Sequence, residues 1–201
     1  MKNVVSVNFN PLITSLFLLG LCLQYANATP NKIDQALKTK LKEAFAQGFG
    51  FEDRFDAEVW LKDMATRLDK RFRGKFHMNK QQQYEFLKLV HREAKRAKLQ
   101  PELVLSVIQI ESNFDKFAIS RVGARGLMQI MPFWLDEIGK PDDNLFDIAT
   151  NLRFGCTILR YYLDVEKGNL SRALARYNGS LGRYKYPNKV YKALDRTWFK
   201  S

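Results

Sequence analysis

Residues 101–114 read Pro-Glu-Leu-Val-Leu-Ser-Val-Ile-Gln-Ile-Glu-Ser-Asn-Phe, and the rest of the chain is best understood outward from this stretch. Pro101 suits the first turn of a helix, where its missing N–H costs nothing. Leu103, Val104, Leu105, Val107, Ile108 and Ile110 then fall on every side, so the spacing predicts a buried central helix from Pro101 to about Phe114. Glu111 lies near its end. A carboxyl that comes after such an apolar run is partly desolvated, which favours its neutral form and raises its pKa towards neutrality. A proton held that way can be given to a departing oxygen. Taken alone, a glutamate at a helix exit is more commonly solvated or paired with an arginine.

Helical periodicity extends in both directions from this segment. Upstream, Ile33, Leu37, Leu41 and Phe45 recur every four residues before Gly48 and Gly50 break the pattern. Asp56 can cap a second helix with the apolar line Trp60, Met64, Leu68 and Phe72, followed by a connector from Arg73 to Lys80. Leu87, Val90, Ala94 and Ala97 mark a third helix ending near Gln100. Downstream, Ile148, Leu152, Cys156, Leu159 and Leu163 form another line, with Asp147 as cap and Gly168 as stop. A short helix from Ser171 to Asn178 ends at Gly179, and a last one comes after Pro187 through Val190, Tyr191, Leu194 and Trp198. The expected fold class is all-α, α+β at most through a short hairpin near Gly123 to Gly126.

The start of the chain has a different character. Lys2, the apolar run Leu12–Leu23 and the small residues Ala26-Asn27-Ala28 have the layout of a secretory signal peptide over residues 1–28. That run is shorter than the ~20 residues a spanning helix needs, so no transmembrane segment is expected. Leu21 stands where a lipid-bearing Cys22 would want a small neighbour, which argues against lipidation. Beyond residue 28 only Cys156 remains, so no disulfide can staple the exported chain, and Cys156 is read as core. His77 and His91 have no partners at metal-ligand spacing, so neither metal nor cofactor is expected. A formal net charge of +12 points to an anionic partner. Export and the scattering of the basic residues favour an acidic polymer over nucleic acid.

The residues beyond Glu111 strengthen its case. In Ile119-Ser-Arg-Val-Gly-Ala-Arg-Gly-Leu-Met-Gln-Ile-Met-Pro132, Gly123 and Gly126 allow close approach of backbone to a ligand, and Gln129 offers a donor and an acceptor. Phe133 and Trp134 come next, and Tyr177 and Asn178 sit beside the Gly179 stop. Met128, Met131 and Phe133 read equally well as core. Together with residues 93–114, the stretch Asn144–Leu163 and Leu174-Ala-Arg-Tyr-Asn-Gly-Ser180, these pieces resemble, in order, the soluble lytic transglycosylase (SLT) catalytic domain, of the lysozyme-like superfamily. The resemblance runs from about Gln83 to Leu194. It implies a lysozyme-like orthogonal helical domain over 81–201, with residues 29–80 as an N-terminal helical extension.

Carried over position by position, the resemblance makes Glu111 the sole catalytic acid and base. Ser120 would hydrogen-bond the substrate's N-acetyl group or 6-hydroxyl, Gln129 and Met131 would line the groove, and Tyr177 would contact the glutamate. Asn178 would be structural or groove-lining. The implied partner is the glycan of peptidoglycan, cleaved between N-acetylmuramic acid and N-acetylglucosamine with a 1,6-anhydro product, in the periplasm or cell envelope by a protein read as a monomer. Ser112 lacks a neighbouring base and is read as support rather than nucleophile. Two alternatives stay open: a lysozyme-type hydrolase using Asp115 or Asp136 as second carboxylate, and a non-catalytic wall-binding or secretion-scaffold protein. Two departures from the family pattern are Phe133-Trp134-Leu135 after the Met-Pro pair, and Gly179-Ser180 after Tyr177-Asn178.

Overall fold

A computed structural model describes residues 36, 37, 39, 40, 43, 54–73, 77–138, 140 and 142–199, all within the compact unit Gln35–Ser201. The signal-peptide reading of residues 1–28 lies outside them, as do most of the Ile33–Phe45 line and the connector's Gly74. Leu37, from that line, is 2% exposed.

From residue 54 onward the described helices follow in the order α1 Arg54–Phe72, α2 Lys80–Arg96, α3 Pro101–Glu111, α4 Phe133–Ile138, α5 Ile148–Val165, α6 Leu170–Tyr177 and α7 Lys185–Ala193, the last running into a π-helical turn, Leu194–Trp198. Among the described residues the β pairing amounts to two isolated antiparallel bridges, Ile119 with Arg125 and Arg125 with Ile130. The fold is therefore all-α, and the glycine-rich stretch makes only a rudimentary hairpin.

The central helix is α3. Leu103 through Ile108 are all buried, including Ser106, whose hydroxyl is satisfied by the Glu102 carbonyl at 2.7 Å. Around it pack α2, α7 and the π turn. Phe114, just beyond α3 and fully buried, meets Phe72 of α1 at 5.8 Å, Phe86 of α2 at 6.1 Å and Trp198 of the π turn at 5.6 Å between ring centroids. Trp198 gains a partner for its indole in Gln109 Oε1, at 2.9 Å. This cluster ties α1, α2 and the π turn to the exit of α3.

Several ends differ from the periodicity. α1 begins at Arg54, so Asp56 lies inside its first turn instead of capping it. α2 stops at Arg96, before Gln100, because Lys98 turns left-handed at φ 53° and Leu99 N–H closes on the Ala94 carbonyl at 2.8 Å. It starts with a reciprocal cap between Asn79 and Gln82. α3 ends at Glu111 because Asn113 and Phe114 both adopt positive φ, 51° and 68°. α4 has no counterpart in the hydrophobic spacing, and α7 starts two residues before Pro187, which is accommodated in its first turn. Asp147 caps α5 as expected, accepting Thr150 N–H at 2.8 Å, and Cys156 is fully buried. Burial pushes the Cys156 thiol far up, so it is inert core.

Candidate active site

Because α3 ends at Glu111, the carboxyl stands at the last turn of a buried helix and is itself half-buried. Burial raises its pKa to about 7, against the opposing pull of a hydroxyl donor. That donor is Tyr186, on α7, whose hydroxyl lies 2.6 Å from Glu111 Oε1. Burial and the nearby Glu111 charge push the Tyr186 hydroxyl well above its ordinary range, so it remains a donor. The result is a carboxyl that holds its proton near neutrality and, once ionised, has one hydrogen bond ready for the charge.

The loop beyond Glu111 is anchored by polar side chains rather than by sheet. Ser112 Oγ donates to the Leu127 carbonyl at 2.8 Å, fastening the α3 exit to the turn 126–129, in line with a supporting role. Asn151, on α5 and 1% exposed, is a hub: its oxygen accepts Met128 N–H at 2.8 Å and its amide nitrogen donates to the carbonyls of Arg125 and Leu145 at 2.9 and 2.8 Å. Gly126 makes this possible, since at φ 75° a Cβ there would meet Asn151 Nδ2 and the Leu145 carbonyl at 2.4 Å. Arg125 and Ile130 exchange both backbone hydrogen bonds at 2.9 Å.

Ser120 sits in this hairpin with its Oγ accepting Ala124 N–H at 3.0 Å, which leaves the hydroxyl proton to donate. Gln129 requires correction. Its amide nitrogen is committed to the carbonyls of Gly126 and Ala118, at 2.9 and 3.1 Å, so only its carbonyl oxygen can meet a ligand, and its backbone takes φ 52° to reach them. Met131 is half-buried beside the start of α4, and Asn178 is exposed, capping α6 through its backbone. Phe133 is not core: it is 43% exposed and leans on Trp134 with centroids 5.0 Å apart. Met128, by contrast, is fully buried.

Tyr177 lies within reach of the Glu111 charge but directs its hydroxyl elsewhere. Its hydroxyl donates to the Met128 carbonyl at 2.8 Å, so it braces the loop, while the tyrosine hydrogen-bonded to the glutamate is Tyr186. Tyr177 still feels Glu111: burial first and the Glu111 charge second hold its hydroxyl well above the ordinary range. Asp115 is exposed and shapes the turn after α3, its Oδ1 accepting Phe117 N–H at 2.8 Å, and Asp136 is exposed on α4. Among the described residues no group of three or more His, Cys, Asp or Glu could hold a metal ion.

The family model for the transglycosylase SLT domain matches residues 88–199, more than half of the chain, and spans Glu111, the anchored loop and both tyrosines. The chain belongs to the transglycosylase SLT domain family. It is 36% identical over 104 residues to a transglycosylase of Enterobacteria phage PRD1, covering 48% of this chain and 38% of that one. It is 30% identical over 122 residues to the membrane-bound lytic murein transglycosylase C of Yersinia pestis (strain Pestoides F), covering 53% and 34%. The chain thus spans little more than a third of the curated relatives it matches. Among solved structures it is similar to the 70 kDa soluble lytic transglycosylase of Escherichia coli, with TM-score 0.44 and 20% identity over 91% of this chain and 30% of that one. α1 lies outside the matched SLT residues.

Tyr186→Phe keeps the ring and removes only the donor to Glu111. The hydroxyl favours the carboxylate, so its loss is expected to raise the Glu111 pKa further, read by NMR on carboxyl-labelled protein, at a stability cost of about 1 kcal/mol. An unchanged or lowered titration midpoint would show that the hydrogen bond does not act on Glu111.

Proposed function

We propose that the chain is a peptidoglycan lytic transglycosylase in which Glu111 is the only catalytic carboxyl. The observation that carries this is a half-buried carboxyl at the end of a buried helix with a pKa of about 7 and a hydrogen bond from Tyr186 at 2.6 Å. Protonated Glu111 gives its proton to the oxygen linking N-acetylmuramic acid to N-acetylglucosamine, and the C1–O bond breaks with the electron pair leaving on that oxygen. The substrate's N-acetyl group stabilises the electron-poor carbon. The ionised carboxyl, held by Tyr186, then takes the proton of the same sugar's 6-hydroxyl as its oxygen bonds to C1, closing a 1,6-anhydro ring and returning Glu111 to its starting state. The nucleophile is already part of the substrate, so positioning replaces the activation of water.

In this reading Ser120 donates to the N-acetyl or 6-hydroxyl group, the Gln129 carbonyl oxygen and Met131 line the groove, and Tyr177 and Asn178 hold its wall. Residues 81–201 form the catalytic domain and 29–80 its extension, acting as a monomer after export to the periplasm or envelope. No helix among the described residues is long and apolar enough to cross a membrane.

Mass spectrometry of the released muropeptides tests the chemistry directly. The expected product is lighter than the hydrolysed one by one water. Predominant reducing ends would instead assign a hydrolase with a water-activating carboxylate.

A further inference from the structure

Away from Glu111, a hollow of about 570 Å³ opens between α1 and the π turn, bordered by Lys70, Arg71, Arg196, Thr197 and Phe199. Asp63 and Arg67, also on its wall, neutralise each other at 2.9 Å, so three cations face one carboxylate, Asp195. Neither Lys70 nor Arg196, both exposed, forms an ion pair among the described residues. A second hollow of about 360 Å³ shares Asp63, Arg67 and Phe199 and continues the first along α1 past Val59, Trp60 and Met64. Glu102 on its wall receives the Trp60 indole N–H at 2.8 Å. Arg67, which lines both and donates to the Thr197 carbonyl at 3.1 Å, joins α1 to the π turn where they meet, so the groove is two adjoining hollows, one rich in cations and the other carrying Val59 and Phe199, 57% and 51% exposed.

Arg71 gives this groove its direction. Its guanidinium lies over the Phe72 ring, 5.3 Å from the centroid, and one terminal nitrogen donates to Asn113 Oδ1, two residues beyond Glu111. Its Nε is buried with no hydrogen-bond partner among the described residues. That Nε is closed to solvent, so a ligand meets Arg71 through the part of the guanidinium that borders the hollow, and a carboxylate is the acceptor that satisfies a guanidinium best. An elongated ligand carrying carboxylates and alkyl side chains fits both ends, and the proposed substrate class carries such groups in its peptide stems.

We propose that this groove binds a peptide stem of the glycan substrate, its carboxylates against Lys70, Arg71 and Arg196 and its alkyl side chains against Val59 and Phe199. The inference rests on the proposed substrate. It gives the α1 segment a task outside the matched family residues, and it couples stem binding to the turn after α3 through Arg71 and Asn113.

The test uses the full chain carrying Glu111→Gln, so that binding is measured without cleavage, on purified peptidoglycan and on the same material stripped of stems by an amidase. Stem-bearing material is expected to bind about tenfold more tightly, an advantage lost in Lys70→Gln/Arg196→Gln and kept in Lys70→Arg/Arg196→Lys. Equal binding of both materials, no binding of either, or an unaffected glutamine double variant overturns the proposal. Competition by acetate as effective as that of a free stem peptide also overturns it, since only a non-selective anion site would then be present. Cleavage of stripped strands by the unmodified chain separates the two readings. Product formation with stem-blind binding sinks the groove alone, and stem-dependent binding without product from any strand sinks the activity alone.

Discussion

Glu111→Gln is expected to abolish peptidoglycan cleavage, by ~10³-fold or more in turnover, while leaving the protein folded. The amide has nearly the same size and still accepts from Tyr186, but it has no proton to give and cannot later take one. Losing both steps in one residue is why the effect should be larger than for any groove contact. The same group sets the pH dependence. With its pKa raised to about 7, Glu111 carries its proton below that value, so the rate should fall as pH rises through about 7.

Stability moves with the same titration. A raised folded-state pKa means the native protein's advantage from holding this proton is fully present below the ordinary glutamate range and is gone once pH passes about 7. Glu111→Gln removes that pH-dependent loss and should melt no lower than the unmodified chain at pH 7.5. A variant that is inactive and also melts well below it would mark Glu111 as structural, whereas wild-type lysis by a folded variant would remove the catalytic assignment altogether.

The course of α3 was readable because its burial is written in a continuous run of large aliphatics, and α5 because Asp147 and Gly168 bracket a regular apolar line. The helix ends that shifted, at Gln100 and Phe114, are set by backbone turns into positive φ at Lys98, Asn113 and Phe114, which non-glycine residues do not announce. α4 is too short to display a period.

In the site, local sequence located Glu111 and the glycine loop but could not say where side chains spend their hydrogen bonds. Gln129 looks like a ligand contact until the Gly126 and Ala118 carbonyls claim its amide. The Tyr186 contact crosses 75 positions and obeys no helical spacing. The available signal was a tyrosine on the far side of Gly179 and Gly182, which is weak. Asn151 lay within the Asn144–Leu163 stretch without a role, since only the fold brings Met128, Arg125 and Leu145 around it.

The second large effect falls on Glu93, a residue remote from the chemistry. It is wholly buried on α2 and receives Arg153 of α5 through two nitrogens, at 2.6 and 2.9 Å, with Arg96 adding a third bond at 2.8 Å. Burial pushes its pKa up, but the hydrogen bonds and charges of Arg153 and Arg96 outweigh it and hold the carboxyl below its ordinary range. Glu93→Leu removes the buried carboxylate that Arg153, only 4% exposed, donates to through two nitrogens, and the expected loss is about 3–5 kcal/mol in urea unfolding. Replacing Arg153 by Met as well removes the most buried of the cations that face Glu93, while Arg96 keeps Thr157 Oγ1 at 2.7 Å, so the double variant should recover part of the loss even though Arg92, 3.4 Å from Glu93, also loses that carboxylate. Losses that simply add would mean the pair is not coupled. Because the folded pKa is depressed, the contribution of Glu93 is complete above the ordinary glutamate range and fades as pH falls through the folded value, so acid should destabilise the unmodified chain more than the double variant. The consequence reaches the site through α5: the ion pair fixes this helix against α2, and the same helix carries Asn151 to the loop beside Glu111.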